Sequence, residues 1–206
     1  QADFIVIGGG IAGASAAYWL APHGKVVVLE RESQPGYHST GRSAALFAQS
    51  YGSALVRAVT RASRPFYETP PPGFADHPIL SPRGVMFIGG HGQQDLLDAM
   101  LTELNRVDPD IHAIDGAEVC RRVPVIKPEW VIGAVVDPRS MDMDVNELHQ
   151  GYLRGVRQRG GVIVGDAEVS EMWRQDGNWQ IRTTNGDNYS APVVAGSGRP
   201  RYPRRR

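Results

Sequence analysis

Gly8, Gly10 and Gly13, in the run Phe4-Ile5-Val6-Ile7-Gly8-Gly9-Gly10-Ile11-Ala12-Gly13, have the spacing of a loop that binds the pyrophosphate of a dinucleotide. In that reading four apolar residues form a buried strand, Gly8 turns the chain, Gly10 lets backbone approach the phosphates, and Gly13 lets the next helix pack closely on the strand. The chemistry is anion binding without a basic side chain, because unpaired N–H groups and the positive end of the helix dipole face the phosphates. Glu30 follows Val26-Val27-Val28-Leu29, 17 residues beyond Gly13. Its carboxylate is placed to accept the ribose hydroxyls and would repel a 2'-phosphate, which disfavours NADP.

Glycine spacing alone is a weak signal, since 24 glycines in 206 residues produce such patterns by chance. The flanking elements strengthen it. Ile11 to Leu20 is Ala-rich and helix-forming, Gly24 ends that helix, and a Val-rich strand leads into the acid. The alternative is an ordinary β-α-β unit with a glycine turn and no ligand.

After Glu30 the regular β-α-β-α-β alternation of a nicotinamide-binding domain does not continue. Residues 31–41 read as a polar loop, followed by a helix-prone stretch from Gly41 to Ala48. A helix over Ser53 to Tyr67 is expected to stop before Pro70-Pro71-Pro72. Gly84 to Ile88 reads as a strand, Gln93 to Asn105 as an amphipathic helix, and Trp130 to Val136 as a strand. Asp144-Val145-Asn146-Glu147 has the form of a capping box, opening a helix to about Arg159 that Gly160-Gly161 closes. Then Val162 to Val164, Glu168 to Arg174, Trp179 to Thr184 and Asn188 to Val194 read as short strands. Asp176-Gly177-Asn178 and Asn185-Gly186-Asp187 supply hairpin turns between the last three, giving a three-stranded antiparallel meander.

At 41% hydrophobic residues the chain can bury a substantial core. Cys120 is the single cysteine, so no disulfide framework exists, and no thiol or histidine cluster has metal-ligand spacing; no metal is expected. The six histidines are scattered and read as surface or capping residues. The apolar stretch from Phe4 to Ala21 is interrupted by four glycines, unlike a membrane span, and a cytoplasmic protein is the expectation. Residues 196–206 hold five arginines and no acid; the remainder carries 17 basic against 22 acidic residues, a net of -5. That tail reads as a disordered basic end, as a binder of nucleic acid or membrane, or, in the reading preferred, as a truncated or out-of-frame end in which no nucleic-acid partner is involved.

The residues resemble the D-amino-acid oxidase family of FAD-dependent oxidoreductases. Within it, the run Leu29-Glu30-Arg31-Glu32-Ser33-Gln34-Pro35-Gly36-Tyr37-His38-Ser39-Thr40-Gly41-Arg42-Ser43-Ala44-Ala45 is similar to the bacterial D-arginine dehydrogenase type, as are Leu80-Ser81-Pro82-Arg83 and His149-Gln150-Gly151-Tyr152-Leu153-Arg154-Gly155. The resemblance covers residues 2 to about 194. It implies an α/β fold of the glutathione-reductase type, with a Rossmann-like parallel sheet, an antiparallel β-meander and part of an α+β substrate domain. The implied division is 1–80 and 144–195 for two segments of an FAD-binding domain, 81–143 for a partial substrate domain, and 196–206 for the tail.

The implied cofactor is FAD. Gly8, Gly10, Ala12 and Gly13 would hold its pyrophosphate, and Glu30 and Arg31 its adenosine end. Ser39, Thr40, Gly41, Arg42, Ser43, Ala44 and Ala45 would line the path toward the flavin, and Val169 would meet adenine through its backbone. Tyr51 stands where such relatives place an active-site aromatic hydroxyl, and is the catalytic candidate. The family's reaction moves a hydride from the substrate Cα to the flavin, giving an imine that water hydrolyses. Leu46 and Ala48 replace the His and Thr of arginine-preferring relatives, and Gly84-Val85 stands where those carry an acid. A neutral or apolar D-amino acid, or another secondary amine, is therefore the expected substrate, with the electron acceptor left open. Two other functions stay in view: a non-catalytic nucleotide-binding remnant and an NAD-linked Rossmann dehydrogenase.

Overall fold

A computed structural model describes residues 1–196. In chain order its elements are β1 (Phe4–Ile7), α1 (Ile11–Leu20), β2 (Val26–Leu29), β3 (Leu46–Phe47), α2 (Ala54–Glu68), β4 (Leu80–Pro82), β5 (Val85–Gly89) and α3 (Gln94–Leu104). They continue with β6 (His112–Asp115), α4 (Gly116–Arg122), β7 (Gly133–Asp137), β8 (Met141–Met143) and α5 (Val145–Gln158). The last are β9 (Val162–Val164), β10 (Val169–Gln175), β11 (Asn178–Thr183), β12 (Asn188–Ala191) and β13 (Val193–Gly196). The architecture is α/β, with one parallel sheet and three antiparallel ones.

Contacts divide the chain into two units. The first joins residues 1–44, 70–79 and the described chain from Asp144 onward; the second joins 45–69 and 80–143. Residues 45–69 thus group with the second unit, whereas the sequence reading kept them in its first segment.

The first unit is built on the parallel sheet, in the order β13-β1-β2-β9. Its strands read FIVI and VVVL because both faces are covered, the pattern expected of parallel strands. Ile5, Val27 and Leu29 pack with Ala167, Ile181 and Ala191 under the meander β10-β11-β12. By strand alternation Val6, Val26 and Val28 face the opposite side, and Ala14 and Ala17 of α1 are fully buried. Helix α5 starts where its sequence says it should: the Asp144 carboxylate accepts the Glu147 N–H at 2.8 Å. Its buried face carries Leu148, Tyr152, Leu153 and Val156. Tyr18 of α1, Tyr152 of α5 and Phe74 meet edge to face, with ring centroids 5.2–5.5 Å apart. The Arg154 guanidinium donates to the Phe74 carbonyl at 2.7 Å, tying segment 70–79 to α5.

In the second unit the sheet β5-β7-β6 is covered on both faces. Val135 packs with Leu97, Leu104 and Ile111 on one side, and Ala134 with Val119 and Val131 on the other. The buried Asp137 carboxylate ends β7 and accepts from the Ser50 and Ser140 hydroxyls at 2.5 and 2.9 Å and from the Arg139 N–H at 2.9 Å. A small sheet, β3-β8-β4, completes the unit. Helix α2, capped by Ser53, buries no residue.

Three expectations need correction. Gly41 to Ala48 is a turn and then the short strand β3, not a helix. The Gly41 N–H reaches back five residues to the Gly36 carbonyl, and Leu46 and Phe47 pair with Asp142 and Met141, which takes the stretch out of a helical ladder. Trp130 to Val136 does not run as one strand: Pro128–Trp130 forms a 3₁₀ turn, for which proline's fixed φ is suited, and β7 begins only at Gly133. Asn188 to Val194 is two strands. Pro192, lacking an N–H, ends the meander at Ala191, and Val193–Gly196 leaves it to pair in parallel with β1. The Asp176-Gly177 hairpin follows its sequence signal, with φ of +50° and +80° at the two turn residues.

A Cβ on Gly151 would lie 2.6 Å from the Phe74 carbonyl oxygen, against backbone that cannot rotate away. Gly151→Val is expected to destabilise the fold by about 1–3 kcal/mol through overpacking. Far-UV circular dichroism melts check this; an unchanged midpoint would show that segment 70–79 yields at no cost.

Candidate functional site

Strands β1 and β2 end at Ile7 and Leu29, and β13 lies beside β1 with Gly196 opposite Ile7. The chain winds outward from β1 through β2 to β9 and returns to the other side of β1 as β13. Strand order therefore reverses at β1/β13, where the crevice beyond the carboxyl ends of a doubly wound sheet receives ligands. The glycine loop leaves β1 at this point. Gly8 has φ +98°, a conformation that side chains disfavour, and its N–H donates to the Leu29 carbonyl at 2.8 Å.

Helix α1 begins without a side-chain cap from its own N-cap residue, Gly10, and with no acid in its first turn. Its first internal bond runs from the Ala14 N–H to the Gly10 carbonyl, 2.8 Å. The Ala12 and Gly13 N–H groups precede that bond, so the helix ladder does not use them. The Ile11 N–H donates to the Thr40 hydroxyl at 2.9 Å. Such an end suits a phosphate: donors, a positive dipole end and no carboxylate in the first turn.

Glu30 does something its position in sequence did not reveal. It is 9% exposed, and its two oxygens accept the Gly9 N–H at 2.6 Å and the Glu32 N–H at 3.1 Å. A carboxylate keeps further lone pairs for a ribose hydroxyl, but here its first work is to hold the glycine loop. Arg31 lies in an exposed cluster, 3.0 Å from Glu32 and 3.0 Å from His38, while Glu32 and His38 meet at 2.6 Å. The His38 hydrogen bond, with Arg31, holds the Glu32 carboxyl below its ordinary range.

The 39–45 stretch divides between the two units. Thr40 is buried and takes the Ile11 N–H, whereas Ser39, Gly41, Arg42, Ser43 and Ala44 are exposed on the turn. The Arg42 guanidinium sits over the Tyr37 ring, 5.6 Å from its centroid. The Ala45 carbonyl belongs to the second unit, where it accepts the Met143 N–H at 3.1 Å. Val169 opens β10 opposite Thr183 and packs at the edge of the meander core.

Tyr51 is 70% exposed in the second unit, on an apolar groove of about 410 Å³ whose walls include Leu46, Phe47, Val56, Val59, Tyr67 and Met143. Thr60 and Ser63 add hydroxyls, and no charged side chain lines it.

One residue of the loop's surroundings was misread: His149 is 3% exposed rather than a surface histidine, and its Nε2 lies 2.7 Å from the Gly9 carbonyl oxygen. The signal was present, since position 149 falls between Leu148 and Tyr152 on the apolar face of α5. Burial lowers the His149 pKa from its ordinary 6.5, partly offset by the Gly9 hydrogen bond and by the Glu30 charge. The unfolded chain then binds the proton more readily than the native one. This contribution to stability is full above about 6.5 and is lost as pH falls from there toward the native value. His149→Gln cannot titrate and is expected to flatten that part of the profile; melts of both proteins from about pH 5 to pH 8 check it.

The profile of the family described as "DAO: FAD dependent oxidoreductase" matches residues 3–199. L-2-hydroxyglutarate dehydrogenase of Escherichia coli (strain UMN026) is 27% identical over 203 residues, covering 93% of this chain and 46% of that protein. Monomeric sarcosine oxidase of Bacillus sp. is 22% identical over 200 residues, covering 95% and 51%. Among solved structures, glycine oxidase from Geobacillus kaustophilus superposes with a TM-score of 0.82 at 17% identity, over 96% of this chain and 55% of that one. The chain spans about half the length of the curated relatives it matches. By its match over nearly all described residues, the chain belongs to the DAO family of FAD-dependent oxidoreductases.

Proposed function

We propose that this chain carries the FAD cradle and part of the substrate surface of an oxidoreductase acting on a small amino acid or amine. The observation that carries the reading is the start of α1 at the strand-order reversal, where a glycine loop leaves first-turn N–H groups for an anion. In this reading Gly8, Gly10, Ala12 and Gly13 hold the pyrophosphate. Glu30 holds the loop and accepts from the ribose, Arg31 lies at the adenosine end, and Val169 meets adenine through its backbone. Thr40 sets the first turn, and Ser39, Gly41, Arg42, Ser43, Ala44 and Ala45 form the path toward the flavin. Bound FAD supplies the hydride-accepting chemistry. The chain's share is to bind and orient the cofactor, and Tyr51 offers a hydroxyl to the substrate.

The likeness to D-arginine dehydrogenase is not supported by the relatives above, which are named for L-2-hydroxyglutarate, sarcosine and glycine. The groove at Tyr51 agrees with them in one respect, since it has no carboxylate to pair a guanidinium, and a buried cation without a partner is costly. A substrate with a neutral or small side chain fits; whether it is the D-amino acid expected from sequence or an N-methylated amine is the question for turnover.

Isothermal titration with FAD is the first test. Glu30→Ala is expected to weaken binding by about 1–3 kcal/mol, from charge-assisted hydrogen bonds to loop and ribose. No binding by the wild type would overturn the reading. Anaerobic mixing with sarcosine, D-alanine, D-arginine and L-2-hydroxyglutarate then follows the loss of flavin colour. Tyr51→Phe is expected to lower kcat/KM roughly tenfold or more, as for a hydrogen bond to a charged group, with FAD affinity unchanged. Tight FAD binding with no bleaching by any of the four would instead mark the chain as nucleotide-binding without turnover.

A further inference from the structure

We infer that His149 is a positioning residue for the dinucleotide loop: from helix α5 it fixes the plane of the Gly9–Gly10 peptide, and with it the direction of the Gly10 N–H. The inference rests on the reading of that loop as the FAD cradle. The Gly9 carbonyl only accepts, so the His149 Nε2, 2.7 Å away, carries the hydrogen. The ring is then the neutral Nε2–H tautomer, as its burial favours. No peptide among the described residues is cis. In a planar trans peptide the C=O of Gly9 and the N–H of Gly10 point in opposite directions. Holding that oxygen on α5 therefore aims the Gly10 N–H away from α5.

Glu30 holds the preceding peptide in the same manner, through the Gly9 N–H at 2.6 Å. Gly9 is thus gripped on both sides by buried side chains that are 21 and 140 residues distant in sequence. The imidazole has a second contact that serves the same end. Gly36 has φ +82°, and a Cβ there would lie 2.8 Å from the His149 Cε1, so the ring packs directly against the bare backbone of the turn. That turn delivers Thr40, whose hydroxyl takes the Ile11 N–H at 2.9 Å. One side chain thus sets both the loop before α1 and the turn that caps it. A residue that merely filled space would need neither a donor at Nε2 nor this particular peptide orientation.

The test separates donor from bulk. In His149→Gln the amide can still donate to the Gly9 carbonyl; in His149→Leu nothing can, and the carbonyl is left buried without that partner. Isothermal titration with FAD is run on wild type and both variants, alongside melts of the FAD-free proteins. At a temperature where all three proteins are fully folded, the leucine variant is expected to bind FAD about tenfold to a hundredfold more weakly and the glutamine variant to recover most of that loss, while the leucine variant, with its buried carbonyl unpaired, melts lower. Should the leucine variant not fold, His149→Asn replaces it, its shorter amide falling short of Gly9. Wild-type affinity in the variant without a donor would overturn the inference, as would an equal loss of affinity in the glutamine and leucine variants. Absence of FAD binding in the wild type would overturn the cradle reading itself, and is told apart because it needs no variant.

Discussion

The start of α1 is the constraint on which the first unit depends. A helix leaves its first N–H groups without internal partners, and a glycine N-cap does nothing to satisfy them. Water could do so, but the loop is held instead in one conformation by buried groups from three other segments: Glu30 after β2, Thr40 on the 35–42 turn and His149 on α5. That arrangement fixes the path of the loop without drawing on the Ala12 and Gly13 N–H groups. It also explains why α1 is so rich in alanine. With Ala14 and Ala17 fully buried, the helix can lie close on the strands, and its N-terminus arrives at the carboxyl ends of β1 and β2.

How much of this was legible in the sequence follows from the range of the interaction concerned. Helix α1, the Asp144 cap of α5 and the Asp176-Gly177 hairpin are decided by residues within a few positions of one another, and their chemistry could be read directly. Glu30 was recognised by position, yet its bond to the Gly9 N–H was not, because a spacing rule says what a carboxylate can reach outside the protein and not what it touches within. His149 was missed because its partner is 140 residues away. Its place among Leu148, Tyr152 and Leu153 marked it as buried, and a buried imidazole must find a hydrogen-bond partner. The stretch from Gly41 to Ala48 misled for a different reason. Its Ser and Ala residues are compatible with a helix, but the pairing of Leu46-Phe47 with Met141-Asp142, about a hundred residues away, decides otherwise.

Strand β13 shows how one residue can redirect a chain. Had Asn188 to Val194 continued as a single meander strand, the parallel sheet would end at β1, and the strand order would have no reversal beside the glycine loop. Pro192 prevents this by removing a donor from the ladder. Val193–Gly196 then crosses to β1, in register from Phe4↔Val193 to Ile7↔Gly196, so that a residue without a side chain sits beside the last residue of β1. The end of the meander and the switch point thus meet at the same residue.

The two units differ in the means they have for recognising charge. In the first, backbone N–H groups and a helix dipole can meet the phosphates of a dinucleotide without any basic side chain, so the recognition is encoded in the path of the chain and survives most changes of surface residues. In the second, the groove at Tyr51 offers hydroxyls and apolar walls but no cation, and a substrate carboxylate held there would exchange its hydration for hydroxyl donors alone. On the proposed reading, nucleotide and substrate recognition therefore rest on different physics within this chain. On that reading the pyrophosphate asks only that the glycine loop keep its shape, whereas a substrate carboxylate would ask for a cation that the described groove does not itself contain.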